Sequence, residues 1–324
     1  MQPSGLALPA RTVLSCQKAT SFEKVLPMRR FIARNGPAYA FLLPWLLGFF
    51  LLALGPILAS LYLSFTRYDM VGDPRWVGLG NYTYMFGRDR RFWQALEVTF
   101  HYVALAVPAR LIMALAVAML LDKGLRTIGT YRAIFYLPSL LGSSIAIAIL
   151  WRQLFDTHGV INQILARFGI ESSSWITDPN TSLYTLVVLA MWQFGSPMLI
   201  FLAGLRGIPR DLYEAAEIDG TPRWRQFTRI TLPLLAPVIF FNLVLQTIES
   251  FKTFSSAFII SNGTGAPADS LLFYTVYLFN EAFKFFRMGY ASALAWVLLI
   301  IIGVFTAVAF FTSKYWVHYE NERD

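Results

Sequence analysis

Six stretches of the chain are mostly apolar and exceed the roughly 20 residues that a helix needs to cross a bilayer. They run over 39–65, 98–121, 133–154, 183–205, 234–261 and 289–313. Between them the chain turns polar and gains Gly, Pro and charge. The pattern predicts an all-α membrane protein of six transmembrane helices. Five spans hold proline: Pro44 and Pro56, Pro108, Pro138, Pro197 and Pro237. Neighbouring helices tolerate these by re-satisfying freed backbone groups. They act as ordinary kinks in a packed bundle or as hinges.

One connector is more than a turn. Between the fourth and fifth spans, Asp211 precedes Glu214 by three residues, a capping-box pattern with Asp as the cap. Residues 212–218 favour a helix, and Gly220 fits the left-handed position that ends one. Thr221 and Pro222 then suit a cap and a first helical residue, and the second helix is expected to end near Thr231, before Pro233. Physics alone leaves two uses for this helix–turn–helix: an amphipathic pair at the membrane surface, or a dock for a soluble partner.

Composition sharpens the class. Of 324 residues, 56% are hydrophobic and only 14% charged, against about 25% in soluble domains. A soluble fold of this size cannot hide so much apolar surface, and disorder is excluded by 16% aromatics. The net charge of +8 follows topology. With the N-terminus in the cytoplasm, sixteen of the 27 Lys and Arg fall on cytoplasmic segments and nine on outer loops, while Arg110 and Lys252 lie within spans. This bias places both termini inside. The tails 1–37 and 314–324 are then cytoplasmic and flank a membrane domain over 38–313. Met28, directly before Arg29 and Arg30, is a second candidate start, which would leave 1–27 outside the native protein; no signal peptide is expected. Cys16, the lone cysteine, can form no internal disulfide.

The loop carries a specific resemblance. Glu214-Ala215-Ala216, Gly220, Ile230 and Leu232-Pro233 stand at the spacing of the EAA signature of permease subunits of binding-protein-dependent ABC importers. From Tyr39 to Phe310 the chain also resembles the carbohydrate-uptake branch, through Gly78-Leu79-Gly80-Asn81-Tyr82, Arg132 with Leu137-Pro138, Trp151, Gly159, Asn162, Ala203-Gly204-Leu205 and Ile208-Pro209. The resemblance implies that 205–233 is a cytoplasmic coupling loop, with Glu214, Ala215, Ala216, Asp219, Gly220, Ile230, Leu232 and Pro233 meeting an ATPase dimer. It also implies a second permease subunit, usually forming a heterodimer, an extracytoplasmic solute-binding protein, and a place in the bacterial inner membrane. No cofactor is expected in this chain: Gly124–Gly129 has phosphate-loop glycine spacing but puts Thr130 where the lysine belongs. ATP and Mg would sit on the partner ATPase. Nucleic acid is not expected as a partner; membrane lipid is.

Polar residues inside the membrane complete the picture. Asn242, Gln246, Glu249 and Thr253 share one face of the fifth span, and Lys252 is placed to pair with Glu249. They suit a path for a hydroxyl-rich solute, joined by Trp192 and Gln193 of the fourth span, or interhelical hydrogen bonds. Arg110 could snorkel, pair with a partner subunit or line the path. The turn Asn262-Gly263-Thr264-Gly265-Ala266-Pro267 departs from the double-glycine form common in the family. His101, His158 and His318 show no metal or nucleophile spacing. The alternatives, a stand-alone secondary transporter or a membrane-embedded enzyme, account for no EAA loop.

Overall fold

The structure, a computed structural model, describes residues 41–122, 128–142, 144–169 and 174–317. The predicted tail 1–37 with Cys16 and Met28, most of the Gly124–Gly129 turn, and His318 with the rest of 318–324 lie outside these. Two compact units divide at residues 59 and 60.

The apolar helix α1, Phe41–Ser64, begins in the first unit. It is π-helical over Phe49–Leu54. The second unit holds everything from Ser60 onward. A short antiparallel ribbon, β1 (Thr66–Arg67) on β2 (Arg75–Trp76), pairs Thr66 with Trp76; the all-α expectation omitted it. Then follow α2 (Gly80–Gly87), α3 (Arg90–Asp122), α4 (Ile128–Leu141), α5 (Ile145–Leu154), α6 (Val160–Arg167), α7 (Ser182–Trp192) and α8 (Gly195–Gly207). Next come α9 (Arg210–Ile218), α10 (Arg223–Gln226), α11 (Leu232–Phe251), α12 (Ser255–Ile260), α13 (Tyr274–Phe279) and α14 (Met288–Ser313).

At the centre stands α3, 33 residues long and packed against α7, α8 and α11. Asp89 caps it: its carboxylate accepts from the Phe92 backbone N–H at 3.1 Å. Ala106, Ala114 and Ala118 are buried, letting neighbouring backbones approach closely. Met198, Phe201 and Leu202 of α8 fill the facing layer. Outward sides stay apolar: Leu299, Ile300, Val304 and Phe311 of α14 are exposed, as suits hydrocarbon.

Among the described residues, four apolar helical runs are each long enough to cross a membrane: Phe41–Ser64, Arg90–Asp122, Arg223–Ile260 and Met288–Ser313. The other two predicted spans are each a bent pair, which corrects the expectation of single helices. The third bends by 95° between α4 and α5, and the fourth by 43° between α7 and α8. Side-chain hydrogen bonds replace the backbone bonds lost at these bends. Pro197 has no N–H for the Gln193 carbonyl four residues back; Ser139 Oγ donates to that carbonyl instead, at 2.9 Å, and accepts from Ser196 N–H at 3.0 Å. Ser144 caps α5 by accepting from Ile147 N–H. The fifth span also differs from expectation. Helix continues from α10 through a π-turn at Phe227–Thr231 into α11, and Pro233 does not stop it. It breaks instead near its other end, at Lys252–Phe254.

Candidate functional site

The loop between α8 and α11 forms the helix pair that its sequence predicts, with different caps. Helix α9 starts after Pro209 with no side-chain cap, so the Asp211 capping box does not form; Asp211 sits in the first turn. Pro222, with Thr221 before it, precedes α10, which starts at Arg223. The end of α9 is a complete Schellman closure: Thr221 N–H donates to Ala216 O at 2.9 Å and Gly220 N–H to Glu217 O at 3.0 Å. Gly220 takes φ +67° and a Cβ there would meet nothing, so its need for glycine is conformational. Tyr213 Oη and Thr231 Oγ1, 2.9 Å apart, tie α9 to the π-turn. Glu214, Ala215, Asp219 and Pro233 are exposed, while Ala216, Ile230 and Leu232 are half-buried. Ile218, 87% exposed, and Trp224, 73% exposed, add apolar anchors that the sequence did not single out.

A second group gathers where α11 breaks. A cavity of about 210 Å³ is lined by Tyr102, Arg110, Gln193, Glu249, Lys252 and Thr253, among others. Arg110 on α3 donates from Nε to Ala190 O at 2.7 Å, from Nη1 to Gln246 Oε1 at 2.6 Å and from Nη2 to Gln193 Oε1 at 3.5 Å. Gln193 in turn donates to Gly142 O at 3.0 Å. A Cβ at Gly142 would fall 2.3 Å from Gln193 Cδ, so any larger residue there would push the Gln193 side chain out of this position. Lys252 Nζ lies 2.8 Å from Glu249 Oε1. The predicted stripe is therefore divided. Glu249, Lys252, Thr253 and Gln193 line the cavity; Gln246 stands behind Arg110; Asn242 is fully buried with neither amide atom partnered. Trp192 does not line the cavity: its ring lies 6.0 Å from that of Trp151.

A further buried polar cluster was not foreseen, because its members are remote in sequence. Asp89 accepts hydrogen bonds from Tyr277 at 2.5 Å and from Tyr290. Nearby Glu281, 4% exposed, pairs with Arg287 at 3.3 Å, and burial raises its carboxyl above the usual range. A 440 Å³ cavity opens on this cluster past Tyr84, Arg287 and Tyr290.

A helix pair presenting exposed apolar and acidic side chains, joined to a helical bundle with a polar cavity, suits a coupled transporter. Residues 84–317 match the family described as binding-protein-dependent transport system inner membrane component. The chain belongs to this family. Such a chain is a permease component of an ABC importer in the inner membrane, and separate ATPase subunits hydrolyse ATP. A relative from Bacillus subtilis (strain 168), the probable ABC transporter permease protein YesP, is 50% identical over 90% of this chain and 94% of its own. The lactose transport system permease protein LacF of Rhizobium radiobacter is 33% identical over 89% and 96%. A crystal structure of a bacterial alginate ABC transporter in complex with an alginate pentasaccharide-bound periplasmic protein has a chain of the same fold. It aligns with TM-score 0.76 at 22% identity over 88% of this chain and 96% of that one.

Proposed function

We propose that this permease pairs with a second, related subunit to form the path for a saccharide or related polyol, moved by alternating access. The carrying observation is the polar cavity at the break in α11. There Gln193, Glu249, Lys252 and Thr253 offer donors and acceptors for hydroxyls, beside the rings of Tyr102 and Phe254. Relatives named for lactose and for arabinooligosaccharides support this solute class. One chain with four to six membrane-crossing helices is too small to enclose such a path, so a second permease subunit is proposed, a different chain as the resemblance to the carbohydrate-uptake branch implies.

Residues 205–233 form the coupling loop, with Glu214, Ala215, Ala216, Asp219, Gly220, Ile230, Leu232 and Pro233 as its working positions. Ile218 and Trp224 seat in an apolar groove of a cytoplasmic ATPase dimer, which holds ATP and Mg, and Glu214 meets a basic group there. Both termini lie on that side; the opposite face receives the solute-binding protein. The Tyr213–Thr231 contact carries movement of α9 into α11.

A cysteine cross-link tests the dock. With Cys16 replaced by Ser, an Ile218→Cys permease in native membranes is expected to form an adduct with the ATPase under a short bifunctional reagent. A permease that cross-links only to itself or to lipid contradicts the assignment.

A further inference from the structure

The charge count of the α11 cavity says more about the solute. Its ionisable lining consists of Arg110, Glu249 and Lys252, with Tyr102. Lys252 and Glu249 neutralise each other at 2.8 Å. Among the described residues no carboxylate lies within ion-pair distance of Arg110, and the acceptors it reaches are neutral: Ala190 O, Gln246 Oε1 and Gln193 Oε1. A guanidinium carries five N–H donors, and three are used here, so two remain. The cavity thus bears one uncompensated positive charge inside a membrane protein, where an unpaired charge is costly. Hydrogen bonds to Ala190, Gln246 and Gln193 fix the guanidinium in place without neutralising it. A fixed, partly desolvated guanidinium with spare donors is matched by a planar oxyanion.

We infer that the solute carries a single carboxylate, so that a uronic-acid unit of the saccharide enters this cavity with its carboxylate on Arg110. Tyr102 and Phe254 face the sugar ring, and Ser255, Ser256, Thr253 and Gln193 meet its hydroxyls. At about 210 Å³ the space suits one terminal unit of a longer chain. This inference rests on the cavity being the saccharide path, and its test separates the two.

The native host and a strain lacking this chain are fed three mixtures: uronic-acid-containing oligosaccharides, the same oligosaccharides after reduction of their carboxyls to alcohols, and neutral oligosaccharides including lactose. Depletion from the medium is followed by mass spectrometry. Depletion that depends on this chain is expected to favour the acidic mixture strongly and to fall sharply on carboxyl reduction, with a smaller residual uptake of neutral saccharides. Equal chain-dependent depletion of reduced or neutral saccharides overturns the inference and leaves the saccharide path standing. Chain-dependent depletion in none of the mixtures overturns both. Arg110→Gln, at matched membrane levels, is expected to lower the ratio of acidic to neutral uptake by about tenfold, the loss of one charge-assisted hydrogen-bonded pair. Arg110→Lys should recover part of that ratio. If Arg110→Gln lowers all uptake in proportion, Arg110 is only a structural brace and the inference fails.

Discussion

At Gly220 a single backbone angle holds the turn between α9 and α10. Because a Cβ there meets open space, only the left-handed conformation matters, and it costs most L residues roughly 1–2 kcal/mol. Asn tolerates that region and Pro cannot adopt it. Gly220→Asn should therefore keep transport coupled, whereas Gly220→Pro should let ATP hydrolysis run with little transport; comparing both rates in reconstituted complexes checks this. Glu281 gives a prediction with pH. Burial raises its carboxyl in the folded state, so its share of stability is full below the ordinary carboxylate pKa and is lost as pH rises through the raised value. Melting temperature of the wild type should fall over that window relative to Glu281→Gln, and parallel curves would contradict the assignment. Gly220 could be read from the EAA spacing, and Glu249 with Lys252 from their separation. Arg110 could not, since Ala190, Gln193 and Gln246 lie 80, 83 and 136 residues away.

Among the elements, hydropathy located every apolar stretch and missed their breaks. Transfer free energy sums over a window, while a break depends on one carbonyl finding a new partner. At the α7–α8 bend that partner is Ser139 of α4, on a different predicted span. Ser139→Ala should leave the Gln193 carbonyl unsatisfied and cost about 1–3 kcal/mol, seen as a lower melting temperature in detergent. An unchanged melting temperature would mean that the bend does not need Ser139. The loop pair was legible because Gly220 and the prolines punctuate it locally. Its caps were not, because Asp211 falls inside the first turn once Pro209 takes the cap position. Continuity through Pro233 was hidden by the π-turn at Phe227–Thr231 that precedes it. That continuity links the proposed coupling loop directly to the cavity-lining helix. Tyr213→Phe, which removes the hydroxyl contact with Thr231, should raise the number of ATP molecules spent per solute imported. An unaltered ratio would show that movement reaches α11 by another route.

Over the whole molecule, the basic excess sorts into two roles. Much of it lies on segments proposed to be cytoplasmic, and five basic residues with four acids crowd the span from Arg206 to Arg229, where the ATPase is proposed to bind. The cavity stands at the far end of the same helix, α11. A push on α9 would then travel along α11 to the residues proposed to hold the solute, as coupling in alternating access requires. The most direct test is uptake of a saccharide into proteoliposomes holding this chain, its partner permease and the ATPase, with binding protein outside. Uptake is expected only with ATP at the ATPase and with binding protein present. Uptake that persists without ATP and follows a proton or sodium gradient would contradict this.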